Sequence, residues 1–429
     1  MSGATGAVKR GLPGPLAGIR VLDLTSFLGG PYAGMLLADL GADVIKVEAP
    51  PGGDPSRNRQ DHVGYSSTYA GVNRNKRSVV LDLKNPEARP LLHALIKRCD
   101  VILLSIRPKS RPGLGLDYES LRAINPRLIY CSITGYGESP EARDRPAFDT
   151  TAQALSGLLS LVLGSFDREV TIRAFLSDIL AGVYACNGVL AAIVARTETG
   201  EGQEVRTSLL EASLAFEVFN FFTLFAAQAA NREHTSVRPA GYLLRGSDGK
   251  PFAVHVPPSP EHIWHNFITA LGLPWLDEDQ RFKSKAARAA NYPELHRIVA
   301  DHVHTAPRAH WTAKLAEREV ACAPIYALDE VFDDPLVQGL GMLHTFIDPW
   351  GKEQKTVGSG VKLSGFPPMD PRRAPLLGEH NRSVLSELGL PGDEIERLER
   401  IGVIGAPDPL VAQLNGSGPE TAVGQRESA

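Results

Sequence analysis

The chain has 429 residues, of which 43% are apolar and 22% are charged, a composition typical of a globular protein. Its length exceeds that of one ordinary domain and favours two domains, or one with a large insertion. The formal net charge of -4 indicates no basic surface for nucleic acid and no polybasic patch for a membrane. Four widely spaced cysteines and a start without an apolar core region predict a cytoplasmic protein.

The N-terminal half alternates strand patterns with helix patterns. GIRVLDLT (18–25) and DVIKVEAP (43–50) are predicted strands, and the helix between them (29–42) has Pro31 in its first turn. Further strands are predicted over 77–84, 100–106 and 127–137, with helices over 85–99 and 118–125. This alternation predicts an α/β fold whose large domain contains an open, parallel, Rossmann-like sheet.

Two more apolar helices are predicted over 149–164 and 178–200. Asn187 and two internal glycines make the second a core helix rather than a membrane span. Beyond residue 225 the pattern changes to a hairpin over 241–258, turning at Ser-Asp-Gly, followed by helices. We therefore predict a large domain from 1–225, a smaller α+β domain at 226–335, a return segment at 336–410 that completes the large domain, and a disordered tail at 411–429.

The turn after the first strand, SFLGGPYAG, resembles a dinucleotide site, with Glu48 as a candidate ribose partner. Its glycine spacing is GGxxxG rather than GxGxxG, so a tight strand-to-helix turn is the simpler interpretation. A nicotinamide oxidoreductase stays open as an alternative.

A basic cluster, NRNKRSVVLDLK, carries Asn75, Lys76, Arg77 and Lys84 as candidate phosphate ligands. The alternative is a solvated entry to a strand. The histidines have no metal-ligand spacing, so no metal is expected, and no GxSxG turn indicates a serine hydrolase.

Asp178 is the only acidic residue between Glu169 and Glu198, and it stands at the head of a long apolar run. One interpretation is a helix N-cap, whose side chain accepts a backbone N–H. The other is a nucleophile, because a carboxylate at a helix N-terminus stays ionised and covalent catalysis needs such an anion in a dry pocket. The two roles are compatible.

Together these stretches resemble the class III CoA-transferase family, which includes formyl-CoA and carnitine CoA-transferases and α-methylacyl-CoA racemases. The resemblance runs from Leu16 to Ile404. It rests on the ordered matches LAGIRVLDLTSFLGGPYAGMLLADLGADVIKVEAP, NRNKRSVVLDLK, INPRLIYCSITGYG, RPAFDTTAQALSGLL, SDILAGVYACNGVLAAIVARTETGEGQEVRTSLLEASLA and APLLGEHN.

The resemblance implies a transfer of CoA from an acyl-CoA donor to a free carboxylic acid, with CoA as substrate and no tightly bound cofactor. The aspartate that heads the DxxxG helix is Asp178, with Gly182 four residues later, and it would attack the donor thioester. The implied path passes through an aspartyl anhydride and an aspartyl-CoA thioester. Such intermediates require that water be excluded.

The resemblance also implies where CoA lies. The adenine and phosphates would lie along Ala49, Leu81 to Lys84 (Leu81 and Lys84 in particular), Ser105, Ile106 and Arg107. The thioester end would lie along Leu28, Gly29, Phe148 and Asp149.

Phe148 separates two branches of the family, because racemases carry a histidine at this position. A racemase needs two groups that exchange an α-proton, and phenylalanine cannot accept one. This residue favours a transferase, with a racemase or epimerase and a non-catalytic CoA-binding protein as alternatives. The resemblance further implies an interlocked, ring-shaped homodimer whose chains cross near residues 200–240 and 325–360.

Overall fold

The computed structural model describes residues 14–58, 64–164, 171–230 and 240–416. It divides the chain into two compact units, residues 1–225 with 342–429 and residues 226–341. The predicted smaller domain ended at residue 335 and the predicted return segment began at 336. The first thirteen residues, on which the prediction of a cytoplasmic start depends, and the predicted tail from residue 417 lie outside the described ranges.

Six parallel strands form one sheet in the first unit, in the order β3-β2-β1-β4-β5-β6. They are β1 (Arg20–Leu24), β2 (Asp43–Glu48), β3 (Arg77–Val80), β4 (Val101–Leu104), β5 (Ile129–Thr134) and β6 (Glu204–Ser208). The open parallel sheet is thereby confirmed. The strand order reverses between β1 and β4, and α/β sheets of this kind bind ligands beyond the strand ends at that reversal.

Strand β6 was not predicted from the sequence. Its residues, EVRTS, include a single apolar side chain, Val205, and it lies at the edge of the sheet, where it pairs only with β5. Central strands of a parallel sheet are buried on both faces and therefore have continuous apolar runs, which an edge strand does not need.

Helices alternate with these strands along the first stretch of chain and also follow the last of them. They are α1 (Gly29–Asp39), α2 (Ser67–Asn73), α3 (Ala88–Lys97), α4 (Arg111–Leu114), α5 (Tyr118–Ile124), α6 (Asp149–Ser156), α7 (Leu158–Leu163), α8 (Leu176–Thr199), α9 (Leu209–Phe216) and α10 (Val218–Ala229). The predicted helix over 149–164 is two helices, because Gly157 adopts a left-handed φ of 90° between them.

Helix α8 is the central helix of one core. Its buried residues Ala181, Ala185 and Val189 share a hydrophobic cluster with Leu37 of α1 and Ile129 of β5. By length and composition alone α8 could cross a membrane. Its small side chains instead let α1 approach closely, as described below for Gly182.

The second unit has its own antiparallel sheet and core. The strands are β7 (Gly241–Arg245), β8 (Pro251–His255) and β9 (Ala321–Pro324), and the helices are α11 (Glu261–Leu271), α12 (Lys285–Ala290), α13 (Tyr292–Val303), α14 (Arg308–Glu317) and α15 (Pro335–Gly339). The hairpin predicted over 241–258 is present as β7 and β8. Its core is built around Trp264, Phe267 and Trp311.

The chain then returns to the first unit with β10 (Leu343–Ile347), β11 (Glu353–Val357), α16 (Asn381–Glu387), α17 (Gly392–Arg400) and α18 (Pro409–Gly416). Ile404 forms an antiparallel bridge with Leu81, just beyond β3. Residues 411–416, placed in a disordered tail by the sequence, are helical instead. The reason is that Val411 is buried against Tyr65, Tyr69 and Leu376.

Candidate active site

A cavity of about 560 Å³ lies beyond the carboxyl ends of β1, β4 and β5, where the strand order reverses. It brings together eight of the predicted site residues: Leu28, Gly29, Ser105, Ile106, Arg107, Phe148, Asp149 and Asp178. Three others do not line it: Ala49 is exposed after β2, Leu81 is fully buried, and Lys84 is exposed before α3.

Four helices begin at this cavity. Residues 28–30 at the start of α1, residues 148–150 at the start of α6, Phe175 before α8, and Leu209 at the start of α9 all line it. The N-terminus of a helix carries a partial positive charge and N–H groups without partners inside the helix. Their convergence favours a negatively charged group in the cavity.

Asp178 is the third residue of α8, not its cap. The helix begins at Leu176, and no side chain of the preceding Phe175 caps it. The capping acceptor comes from α6 instead, because the Asp178 N–H donates to Asp149 Oδ1 at 3.0 Å. The prediction that Asp178 starts the helix is therefore wrong by two residues, and its carboxylate is not the group that caps α8.

Asp149 is itself held in place by Gln153. Gln153 Nε2 donates to Asp149 Oδ2 at 2.5 Å and to the Ala174 carbonyl oxygen at 2.9 Å. Burial raises the pKa of the Asp149 carboxyl, and the hydrogen bonds from Asp178 N–H, Gln153 and Ser177 N–H offset that rise only in part. A single buried carboxylate thus joins α6 to the first turn of α8.

The carboxylate of Asp178 lies against the first turn of α1. A β-carbon built on Gly29 would come within 3.2 Å of Asp178 Oδ1 and 2.9 Å of its main-chain oxygen. One turn along α8, a β-carbon on Gly182 would lie 2.7 Å from the Gly29 carbonyl oxygen and 2.9 Å from Tyr32 Cδ1. Glycines at both positions allow the two helix backbones to meet beside Asp178.

The loop between β1 and α1 has a strained conformation. Phe27 adopts a left-handed φ of 68°, which is costly for a residue with a bulky side chain. Its N–H donates to Asp54 Oδ1 at 3.2 Å, and its ring stands edge-on to that of Phe148, with centroids 5.9 Å apart. The Ser26 N–H donates to Ser105 Oγ at 3.1 Å, which ties this loop to the end of β4.

Buried ion pairs support this loop from below. Lys46 Nζ lies 2.9 Å from Asp54 Oδ2 and donates to the Thr25 carbonyl oxygen at 2.8 Å. Lys76 Nζ donates to Asp23 Oδ2 at 2.8 Å and to the Pro31 carbonyl oxygen at 2.8 Å. Burial lowers the pKa of Lys76 to about 8, even though Asp23 beside it raises that pKa.

The basic cluster at the start of β3 is therefore used within the fold. Lys76 is buried with Asp23, Asn75 donates to Asp39 at 2.8 Å, and Arg77 pairs with Asp43 at 2.6 Å. These side chains are neither exposed at a strand entry nor part of the cavity lining.

Sequence reasoning missed two arginines that line the cavity, Arg143 and Arg145. They lie in the irregular connection between β5 and α6, where the sequence has no periodicity, and only the local density of charge in EARDRPAFD marks them. Within the described ranges, no three or more His, Cys, Asp or Glu side chains are grouped to hold a metal ion.

Comparison with known proteins assigns this architecture to a family. The family model described as CoA-transferase family III matches residues 16–381. The chain belongs to that family. The resemblance seen in the sequence motifs is confirmed, and the protein is an enzyme of this class of CoA-transferases.

Curated relatives and solved structures are similar over most of their length. The succinate–glutarate CoA-transferase of Agrobacterium fabrum is 32% identical, and the match covers 87% of this chain and 96% of the relative. The succinyl-CoA:glutarate CoA-transferase of Mus musculus is 33% identical, over 91% of this chain and 90% of the relative. A crystal structure of a CAIB/BAIF family protein from Brucella suis is 32% identical, with a TM-score of 0.75 over 88% of this chain and 100% of that one.

Proposed function

We propose that the enzyme transfers CoA from an acyl-CoA thioester to a free carboxylic acid, with Asp178 as the covalent carrier. The name of one relative pairs succinyl-CoA with glutarate and that of the other pairs succinate with glutarate, which supports the overall reaction. The observation that carries the role of Asp178 is that Asp149 caps α8, while the Asp178 carboxylate lies beside Gly29 in the cavity.

The first half of the reaction loads CoA onto the enzyme. An oxygen of the Asp178 carboxylate attacks the thioester carbonyl carbon, the carbon–sulfur bond breaks, and CoA leaves as a thiolate, giving a mixed anhydride. The thiolate then attacks the Asp178 carbonyl carbon of that anhydride. The donor acid leaves as a carboxylate, and CoA is bound to Asp178 as a thioester.

The second half repeats these steps with the acceptor. The acceptor carboxylate attacks the aspartyl thioester and displaces the thiolate, so a second anhydride forms. The thiolate attacks the acceptor carbonyl carbon of this anhydride, which releases the new acyl-CoA and restores the Asp178 carboxylate. No water, oxidant or external proton is consumed.

The geometry of the cavity suits these steps. Each attack places negative charge on a carbonyl oxygen, and the first turn of α1, whose N–H groups have no partner inside the helix, lies beside the Asp178 carboxylate. Because Gly29 has no side chain, the α1 backbone can approach the reacting group closely. The rings of Phe27 and Phe148 contact each other edge-on and make part of the cavity wall apolar.

Phe148 supports a transferase over a racemase. It has no titratable group, and the neighbouring Asp149 carboxylate already accepts hydrogen bonds from the Asp178 N–H and Gln153. Neither residue is therefore placed to exchange an α-proton with Asp178.

Asp178→Asn tests the proposal, because the amide keeps the shape of the side chain and removes its nucleophilic oxygen. Transfer from a panel of acyl-CoA donors to carboxylic acids, measured by mass spectrometry, is expected to be lost, while CoA affinity by calorimetry stays close to that of the wild type. Asp178→Ala is the second variant. Activity of either variant within about tenfold of wild type would contradict a covalent role.

We also propose that the protein assembles as an interlocked homodimer. The described residues around α9 and α10 expose a run of large apolar side chains, an unusual surface for a monomer. Its members are Phe216, Val218, Phe219, Phe222 and Phe225. Light scattering should give twice the mass of the chain, and the dimer should persist on dilution, because interlocked chains cannot separate without unfolding.

A further inference from the structure

The arginines in and near the connection between β5 and α6 differ in how their charge is neutralised. Arg111 pairs with Glu138 at 2.7 Å and donates to the Ile106 carbonyl oxygen and Ser132 Oγ. Arg206 lies 2.5 Å from Glu204 and 3.7 Å from Glu138. Both guanidinium groups are therefore paired with carboxylates of the protein itself.

Arg145 has no such acidic partner. Among the described residues no carboxylate lies within ion-pair distance of it. Its guanidinium lies over the ring of Tyr136, 5.0 Å from the centroid. A guanidinium that lies over an aromatic ring does not use its N–H donors in that contact, so these donors, which lie in the guanidinium plane, are available to a ligand. Arg143 has a weak contact, 3.9 Å from the exposed Asp144 next to it in the chain.

The backbone holds this segment at the cavity. The Arg145 N–H donates to the Ala142 carbonyl oxygen at 3.1 Å, and Ala147 packs so tightly on Gly135 that a β-carbon there would lie 2.0 Å from that of Ala147. Phe148 and Asp149 follow directly, and Asp149 accepts the Asp178 N–H. Arg145 therefore belongs to the segment that also positions the nucleophile.

We infer that Arg145, with Arg143 beside it, binds the second carboxylate of a dicarboxylic acid, so that the enzyme selects diacids over monoacids. This inference rests on the proposed transfer through Asp178. A monoacid has one carboxylate, which takes part in the reaction, so it has no second carboxylate to bind the two arginines. A diacid supplies a planar carboxylate that matches the guanidinium fork. The CoA phosphates are expected at a different loop, Ser105 to Arg107 after β4.

An internal competition tests the inference. Equal amounts of glutarate and its monomethyl ester, which has similar length but one carboxylate fewer, compete as acceptors with one acyl-CoA donor, and the two products are quantified by mass spectrometry. The product ratio reports the ratio of kcat/KM whatever fraction of the enzyme is active. Wild type is expected to favour glutarate by about 10- to 100-fold, as one charged hydrogen-bonded pair provides.

Arg145→Gln should bring the ratio close to one, and Arg145→Lys should restore it in part, since lysine keeps the charge but not the fork. Arg400→Gln, an exposed arginine at the end of α17, is the matched control and should leave the ratio unchanged. CoA affinity by calorimetry should change less than about threefold in Arg145→Gln, because the phosphates bind elsewhere.

Two results overturn the inference while leaving the proposed function standing. One is a product ratio near one in the wild type, or a ratio in Arg145→Gln that is the same as in the wild type. The other is a large loss of CoA affinity in Arg145→Gln with an unchanged ratio, which would make this arginine a phosphate ligand. Absence of any transfer and of any covalent adduct on Asp178 would overturn the proposed function itself, and this inference with it.

Discussion

Gly182→Ala tests whether the close contact between α8 and α1 positions Asp178. The new β-carbon would lie 2.7 Å from the Gly29 carbonyl oxygen, 0.7 Å short of the 3.4 Å at which ordinary contact begins, and 2.9 Å from Tyr32 Cδ1. The tyrosine ring can turn away. The carbonyl oxygen belongs to the backbone of α1, so relief requires that the helix itself moves away from α8.

Two opposing effects set the loss of stability. Overpacking of this kind costs about 1–3 kcal/mol, and replacing a glycine inside a helix by alanine returns about 1 kcal/mol. The free energy of unfolding should therefore fall by at most about 2 kcal/mol. Activity should fall further, by about 10- to 100-fold, because a misplacement of about 1 Å at a reacting centre costs roughly that much.

Urea denaturation gives the free energy of unfolding, and steady-state transfer assays give kcat. Gly71→Ala is the matched control: Gly71 lies in α2 with no atom within 4 Å of an added β-carbon, so this variant should gain stability and keep its kcat. A folded Gly182→Ala variant with the kcat of the wild type would refute the argument that the α1 backbone must lie beside Asp178.

Three further predictions concern the surroundings of the site. Asp149→Asn should lower kcat about tenfold, because the amide turns one N–H toward a hydrogen-bond donor. Burial raises the folded-state pKa of Asp149, so the stability that this group contributes is lost as the pH rises from 3.8 through the raised value. In urea denaturation at a series of pH values, the variant should lack this decrease in the free energy of unfolding. Lys76→Met should cost about 3–5 kcal/mol in urea denaturation by leaving Asp23 unpaired, and the double variant with Asp23→Asn should cost less. In calorimetry, Lys84→Ala should weaken CoA binding by about 1–3 kcal/mol if the phosphates reach this exposed residue. An unchanged CoA affinity in this variant, together with a weaker affinity in Arg107→Ala, would place the phosphates at the end of β4 instead.

Much of the sheet follows from local sequence, because β1 to β5 are apolar runs bounded by turn residues. Strand β6 does not, since an edge strand with one apolar residue has no local signal. The break at Gly157 was also missed, because an isolated glycine is compatible with a continuous helix and the sequence does not show which glycines adopt a left-handed φ.

The candidate site shows the same limit. A local pattern singled out Asp178 as a helix cap, a nucleophile or both, and the cap interpretation was wrong because the group that caps α8, Asp149, is 29 residues away and meets it only in the folded chain. Likewise, Lys76 looked like a phosphate ligand because its partner, Asp23, is 53 residues away. Contacts between distant residues decide which charges are used inside the fold and which face the cavity.

The covalent role of Asp178 is tested most directly by trapping. The protein is incubated with an acyl-CoA donor in the absence of acceptor and quenched with hydroxylamine, which converts an activated aspartyl carbonyl to a hydroxamate. Peptide mass spectrometry should find the hydroxamate at Asp178 alone, dependent on the donor and absent from Asp178→Asn. Transfer of CoA that proceeds with no hydroxamate at Asp178, or with the adduct at another residue, would contradict the account.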